Sequence, residues 1–359
     1  MSEDPKEEKK EVKEARRAQL EEALQPNQLD DKQKKSLANR IVMAALMIAV
    51  GAPCTIFGGW YLFALIALVS LVAIYEIIKA PQKKFPWYVW LTVYAFTLFY
   101  AYFPILRGSI ATAIQTGKWT FSLVLSIRSL WVYAPAMAGE IILLFWFGIM
   151  SEKISFSDVA YSIAVSFLLG LGFQSILYLR NVPYVAVDEL GLSSRVDVNT
   201  PLFSYWASVE LFFFCLIAAL LNDTFAYFVG IFFGKHHMNV RISPKKTWEG
   251  FFGGWLLTAA SLAIYGLLLS YHELPLLPGV LDKDHWFLIV IASFLSPLLG
   301  DLGDLSFSYI KRHFGFKDYG WILGAHGGVL DRFDSLMFVC LFESGFVSAA
   351  LMVLSLMHS

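Results

Sequence analysis

Charge is scarce along most of this chain. Of its 359 residues only 16% are charged, against 57% hydrophobic and 16% aromatic; a soluble domain usually carries about 25% charged residues. That shortage excludes an ordinary water-soluble fold and a disordered one. Cysteine is nearly absent too. Cys54, Cys215 and Cys340 lie far apart, each in an apolar run, which excludes a disulfide scaffold or a cysteine metal site and leaves packing as their role. Net charge is −1, so overall charge selects no polyanionic partner and no nucleic acid is expected. The start of the chain lacks the apolar core of a signal peptide: residues 1–40 hold ten Lys/Arg and ten Asp/Glu. They read as a solvated cytoplasmic tail, either a polar helix with Glu/Lys pairs three and four apart or a disordered segment.

Long apolar runs are what the chain has in abundance. Runs of about 18 residues or more are candidate membrane spans, and nine are read here, at roughly 41–57, 60–78, 87–105, 130–150, 156–178, 205–233, 251–270, 286–303 and 333–356. Only the turn Phe57-Gly58-Gly59-Trp60 separates the first two. The sixth is long for one crossing, and the eighth is expected to continue as a helix into water. The fold class is therefore all-α: a polytopic integral membrane helical bundle of about nine transmembrane helices, N-in/C-out. Orientation follows from the excess of Lys and Arg in cytoplasmic loops. Alternating nine spans from a cytoplasmic N-terminus puts 22 Lys/Arg on segments 1–40, 79–86, 151–155, 234–250 and 304–332, and 6 on the opposite loops 106–129, 179–204 and 271–285. The chain divides into the tail 1–40, an N-terminal transmembrane half 41–204 and a catalytic transmembrane half 205–359.

Polar residues concentrate in that second half. In the stretch SPLLGDLGDLSFSYIKRHFG, Asp301, Asp304, Ser308 and Lys311 fall within roughly 80° of one another on a helix advancing about 100° per residue. Carboxylates at a membrane boundary carry a desolvation cost that a bound cation offsets, and aspartate oxygens suit Mg²⁺. In AHGGVLDRFD, Asp331 and Asp334 share a helix face, Gly327 and Gly328 allow a tight turn or a close approach to phosphate, and His326 can exchange a proton or simply hydrogen-bond. Arg332 and Lys317 are natural phosphate partners. Asn222 and Asp223 interrupt an apolar span and so face protein or water. Ser243 and the pair Lys245-Lys246 sit in a short loop; positive-inside topology alone accounts for Lys235, Lys245 and Lys246, but not for Asp223. His236-His237 read as structural, because adjacent side chains diverge. Glu140, Glu210 and Glu343 are structural polar residues or cavity lining. A pocket of mixed charge beside lipid suits Mg²⁺, a water-borne polyphosphate and a lipid substrate.

The stretch Ser308 to Asp334, SYIKRHFGFKDYGWILGAHGGVLDRFD, resembles the signature of the phosphatidate cytidylyltransferases, or CDP-diacylglycerol synthases. Ser308, Lys311-Arg312, Lys317-Asp318, His326-Gly327-Gly328 and Asp331-Arg332-Phe333-Asp334 are in register over 27 residues. Ser243 to Gly250, SPKKTWEG, and Asp223-Thr224 are similar to the family's as well. Phe307 departs from the pattern, standing where bacterial members commonly carry an acid.

The resemblance implies that CTP and phosphatidic acid give CDP-diacylglycerol and pyrophosphate with Mg²⁺, a second cation being allowed. It implies Asp304 and Asp331 as main metal ligands, with Asp223, Asp301 and Asp334 as further ligands or their supports. Lys245, Lys246, Lys311, Arg312, Lys317 and Arg332 would hold phosphates. Ser243 and His326 would orient one, Ser308 would bind substrate, and Gly327 and Gly328 would admit the nucleotide. The expected partners are CTP, bilayer phosphatidic acid and a second copy of the chain. The expected location is a bacterial inner membrane with the site facing the cytoplasm. A CTP-dependent polyprenol or phytol kinase and an ion-coupled transporter are the alternatives.

Overall fold

The long apolar runs become helices because a backbone in hydrocarbon must satisfy its own N–H and C=O groups, and a helix does this within one segment. A computed structural model describes residues 31–119, 130–190, 201–239, 241–323 and 327–357. Among them are nine helices: α1 Asp31–Phe57, α2 Gly59–Lys79, α3 Trp87–Thr116, α4 Leu130–Met150, α5 Phe156–Leu190, α6 Pro201–Phe233, α7 Trp248–Tyr271, α8 Trp286–His313 and α9 Leu330–Met357. Eight are long and apolar enough to cross a membrane; α1 has a shorter apolar stretch, Val42–Phe57. Residues 1–30 of the tail lie outside the described residues. Large side chains such as Leu68, Trp146, Phe232, Leu256 and Ile264 are exposed on the bundle, the surface that lipid covers.

The expected bounds need two corrections. The third and fifth helices run well past 105 and 178, because a helix need not stop where the hydrocarbon does. An antiparallel hairpin, β1 His237–Asn239 and β2 Ser243–Thr247, also stands between α6 and α7. The eighth span does continue unbroken, as α8, to His313.

Helix α5 is central, buried over 72% of its apolar stretch, whereas α4 is peripheral at 11%. Helices α2, α3, α4, α6 and α9 pack against α5, whose Leu169, Phe173 and Ile176 are fully buried. Intramembrane acids take hydroxyl partners: Glu140 accepts from Tyr100 (2.8 Å) and Ser166, Glu210 from Tyr265, and Glu343 from Ser296. Of the two readings open for these acids, the structure thus favours structural polar residues. The α1–α2 turn requires glycine. Gly58 and Gly59 have positive φ, and a Cβ on Gly58 would meet the Arg180 guanidinium at 2.9 Å. Arg180, fully buried, donates to Thr55 O, Ile56 O and Ser208 Oγ.

The loops grouped on one side by alternation do meet at one end of the bundle. Gln82 Nε2 donates to Phe314 O at 3.2 Å, Lys83 pairs with Asp158, the Tyr161 and Phe314 rings meet edge to face, and Arg312 Nε donates to Ile242 O at 3.3 Å. This end carries Lys246, Asp301, Asp304, Lys311 and Asp331 of the second half.

Candidate active site

Five elements converge here. The first is the hairpin with the start of α7. Thr247 caps α7, its hydroxyl accepting Gly250 N–H at 3.1 Å, a normal use of threonine at that position. Glu249, in the first turn, accepts from the backbone N–H groups of Lys235 and His236 and contacts His236 Nδ1 at 2.6 Å. His236 is thus structural, as its sequence context suggests. The base of the hairpin is fixed, and Lys246 projects onto α8.

There Lys246 Nζ lies 2.9 Å from Asp301 Oδ1 and 2.8 Å from Asp304 Oδ2. Burial disfavours the ammonium charge, but Asp304 and Asp301 outweigh it and hold the pKa above the usual lysine value. Asp301 is buried, and its other oxygen accepts from Asn222 Nδ2 at 2.7 Å. Asn222 also reaches Pro297 O, while its own Oδ1 is buried with no hydrogen-bond partner. Next along α6, Asp223 lies in the electrostatic field of Lys246, Asp304, Asp301 and Arg332. From α9, buried Asp334 faces Asp304, Lys311 and Asp223 in the same way. Four carboxylates from three helices therefore share one region with Lys246, and Asp304 is a quarter exposed at its mouth.

Asp331 is used differently from Asp304. Its Oδ1 accepts from Lys311 Nζ at 2.8 Å, and its Oδ2 accepts backbone N–H groups of Tyr319 at 2.8 Å and Gly328 at 2.9 Å. It ties the end of α8 to the loop before α9. Ser308 Oγ is 3.5 Å from Asp304 Oδ1, at the limit of a contact. Arg312 is spent on carbonyls, Ile242 O and Phe316 O. Lys317 and Arg332 are exposed, and Ser243 is half-buried in β2. Gly327 has φ +82°, and a Cβ there would meet Asp331 Oδ2 at 3.0 Å. His326 and the side chain of Lys245 lie outside the described residues.

Phe307, at the position of the missing acid, is fully buried. Its ring packs edge to face on Tyr319 and Phe338, and its carbonyl accepts the Tyr319 hydroxyl. Burial and nearby carboxylates raise the Tyr319 pKa, so it stays a neutral donor.

One residue of the site was missed by sequence reasoning. Glu76, near the end of α2, is buried and accepts the N–H groups of Val329 at 3.0 Å and Leu330 at 2.9 Å, at the start of α9. The available signal was a single carboxylate in the otherwise apolar run of α2.

A divalent cation fits the donor set. Hard oxygen ligands predominate, acids outnumber the neighbouring cations, and the orphaned Asn222 Oδ1 adjoins Asp301. Among the described residues no three acids, histidines or cysteines converge closely enough to hold an ion alone. Mg²⁺ bound with a nucleotide needs only one or two carboxylates, since phosphates and water complete its shell.

Comparison with known proteins agrees with this chemistry. The model of the cytidylyltransferase family matches residues 38–350. Phosphatidate cytidylyltransferase of Staphylococcus epidermidis is 29% identical over 305 residues, 84% of this chain and 95% of the relative. That of Staphylococcus aureus is 30% identical over the same shares. With a match spanning nearly all the helices and the acidic and basic residues gathered at one end of the bundle, the chain belongs to the cytidylyltransferase family.

Proposed function

We propose that this protein joins CTP and phosphatidic acid to give CDP-diacylglycerol and pyrophosphate, at the cytoplasmic boundary of a bacterial inner membrane. The observation that carries the site assignment is Lys246 set between Asp301 and Asp304, within the electrostatic reach of Asp223 on α6. Such a site can meet a water-borne triphosphate and a lipid headgroup at the same level.

In the reaction, a phosphate oxygen of the lipid forms a bond to the α-phosphorus of CTP. The bond from that phosphorus to the β-phosphate bridging oxygen breaks, and pyrophosphate leaves with its electron pair. A phosphate monoester has its second pKa near about 6, so the nucleophile is already ionised and no strong base is needed. Lys246 is placed to pair with the triphosphate, and Arg332 and Lys317, exposed nearby, bind phosphate from the water side. Lys311 and Asp331 tie the end of α8 to the first turn of α9, which carries Arg332. Asp304, with Asp223, Asp301 and Asp334 around it, would hold Mg²⁺, which would neutralise charge on the departing pyrophosphate. The protein's share is positioning and charge compensation. Residues 205–359 supply most of this chemistry.

The test is the fate of the label in CTP. Label in the α-phosphate should appear in lipid and label in the γ-phosphate should appear in pyrophosphate. γ-Label in lipid would instead identify a lipid kinase, and no label in lipid would remove transferase activity altogether.

A further inference from the structure

We infer that Glu76 is a positioning residue of the reaction: from the N-terminal half, it fixes the first turn of α9 and so the placement of Asp331, Arg332 and Asp334. This rests on the function proposed above.

A helix begins with backbone N–H groups that have no partner inside it. Here the three amides of Gly328, Val329 and Leu330 are taken by two carboxylates. Asp331 accepts Gly328 N–H, while Glu76, reaching across from α2, accepts those of Val329 and Leu330 with separate oxygens. Both acids face the N-terminal end of the helix, where the backbone dipole is positive. The fit leaves no slack: a Cβ on Gly328 would lie 2.6 and 2.7 Å from the two Glu76 oxygens, and one on Gly320 would lie 2.5 Å from Oε1. Glu76 thus also sets the path of the loop whose Tyr319 N–H binds Asp331. Two further contacts hold α2 and its exit against the same region, Gln82 to Phe314 O and Tyr161 to Ile77 O. These three amides are already satisfied by carboxylates and so are not donors to substrate phosphate.

Glu76→Ala, Glu76→Gln and Gly328→Ala, each in the full chain in lipid–detergent micelles, test this. Each is expected to lower kcat about 10- to 100-fold, the scale of charge-assisted hydrogen bonds lost at the site. KM for CTP should move less, because Lys246 is held by other elements. Hydrogen exchange should show amides 328–330 losing protection in Glu76→Ala while α5 keeps its own. If Glu76→Ala does not accumulate folded, Glu76→Gln and Gly328→Ala decide. Wild-type turnover per folded molecule in the Glu76 variants, with only a lower melting temperature, would overturn the inference by making Glu76 merely structural. So would unchanged protection at 328–330. If the wild-type protein transfers no CMP unit, the proposed function fails, whereas the exchange measurement still tests the cap.

Discussion

Aspartates with similar sequence credentials do different work here. Asp304 and Asp331 both sit in signature positions, yet Asp304 meets an ammonium at the mouth of the site and Asp331 binds Lys311 and two backbone amides. Spacing could not separate them, because the amides that occupy Asp331 come from a loop whose path depends on tertiary contacts. Asp304→Asn keeps the shape and removes the charge, so turnover should fall by at least about 100-fold, the scale of one lost electrostatic contribution at a reaction centre, with insertion unchanged. Near-wild-type turnover at equal amounts of inserted protein would take Asp304 out of the ion site. Phe307 shows the reverse case. Its ring is core, packed on Tyr319 and Phe338, so the acid expected from the resemblance has no counterpart at that point of this site.

Among the elements, the hairpin is the part least visible in the sequence. SPKKTWEG reads as a loop with two cations, and nothing in its composition announces two strands. The structure makes each residue type intelligible: strand, then Thr247 cap, then Glu249 stapling the hairpin base. Glu249→Ala should free Lys246 from its set position and raise KM for CTP about fivefold, the scale of one or two modest hydrogen bonds, with a smaller change in kcat. An unchanged KM would show that the staple does not matter for nucleotide binding. By contrast, the unbroken run of α8 was legible, because a 28-residue helix with one polar stripe follows from side-chain period alone.

For the whole molecule, the number and order of helices were legible because lipid imposes a minimum apolar length, although the first has a shorter apolar stretch than the other eight. Loops 79–86, 151–155, 234–250 and 304–332 were grouped by alternation, and contacts such as Gln82 with Phe314 and Arg312 with Ile242 place them together. Which helix lies at the centre was not legible, since α4 and α5 are comparably apolar and only packing distinguishes them. If the chain is oriented N-in/C-out, as the Lys/Arg distribution of its loops suggests, a tag after Ser359 should react with an impermeant reagent in intact cells. Protection of that tag until the membrane is opened would invalidate the nine-crossing path.

Glu76 gives this architecture a genetic consequence. The second half carries the whole signature yet borrows one carboxylate from the first, across a contact that no loop insertion could restore. Cut between the halves, residues 205–359 would be a recipient rather than a minimal enzyme, and a separately expressed first half would be its obligatory donor in complementation.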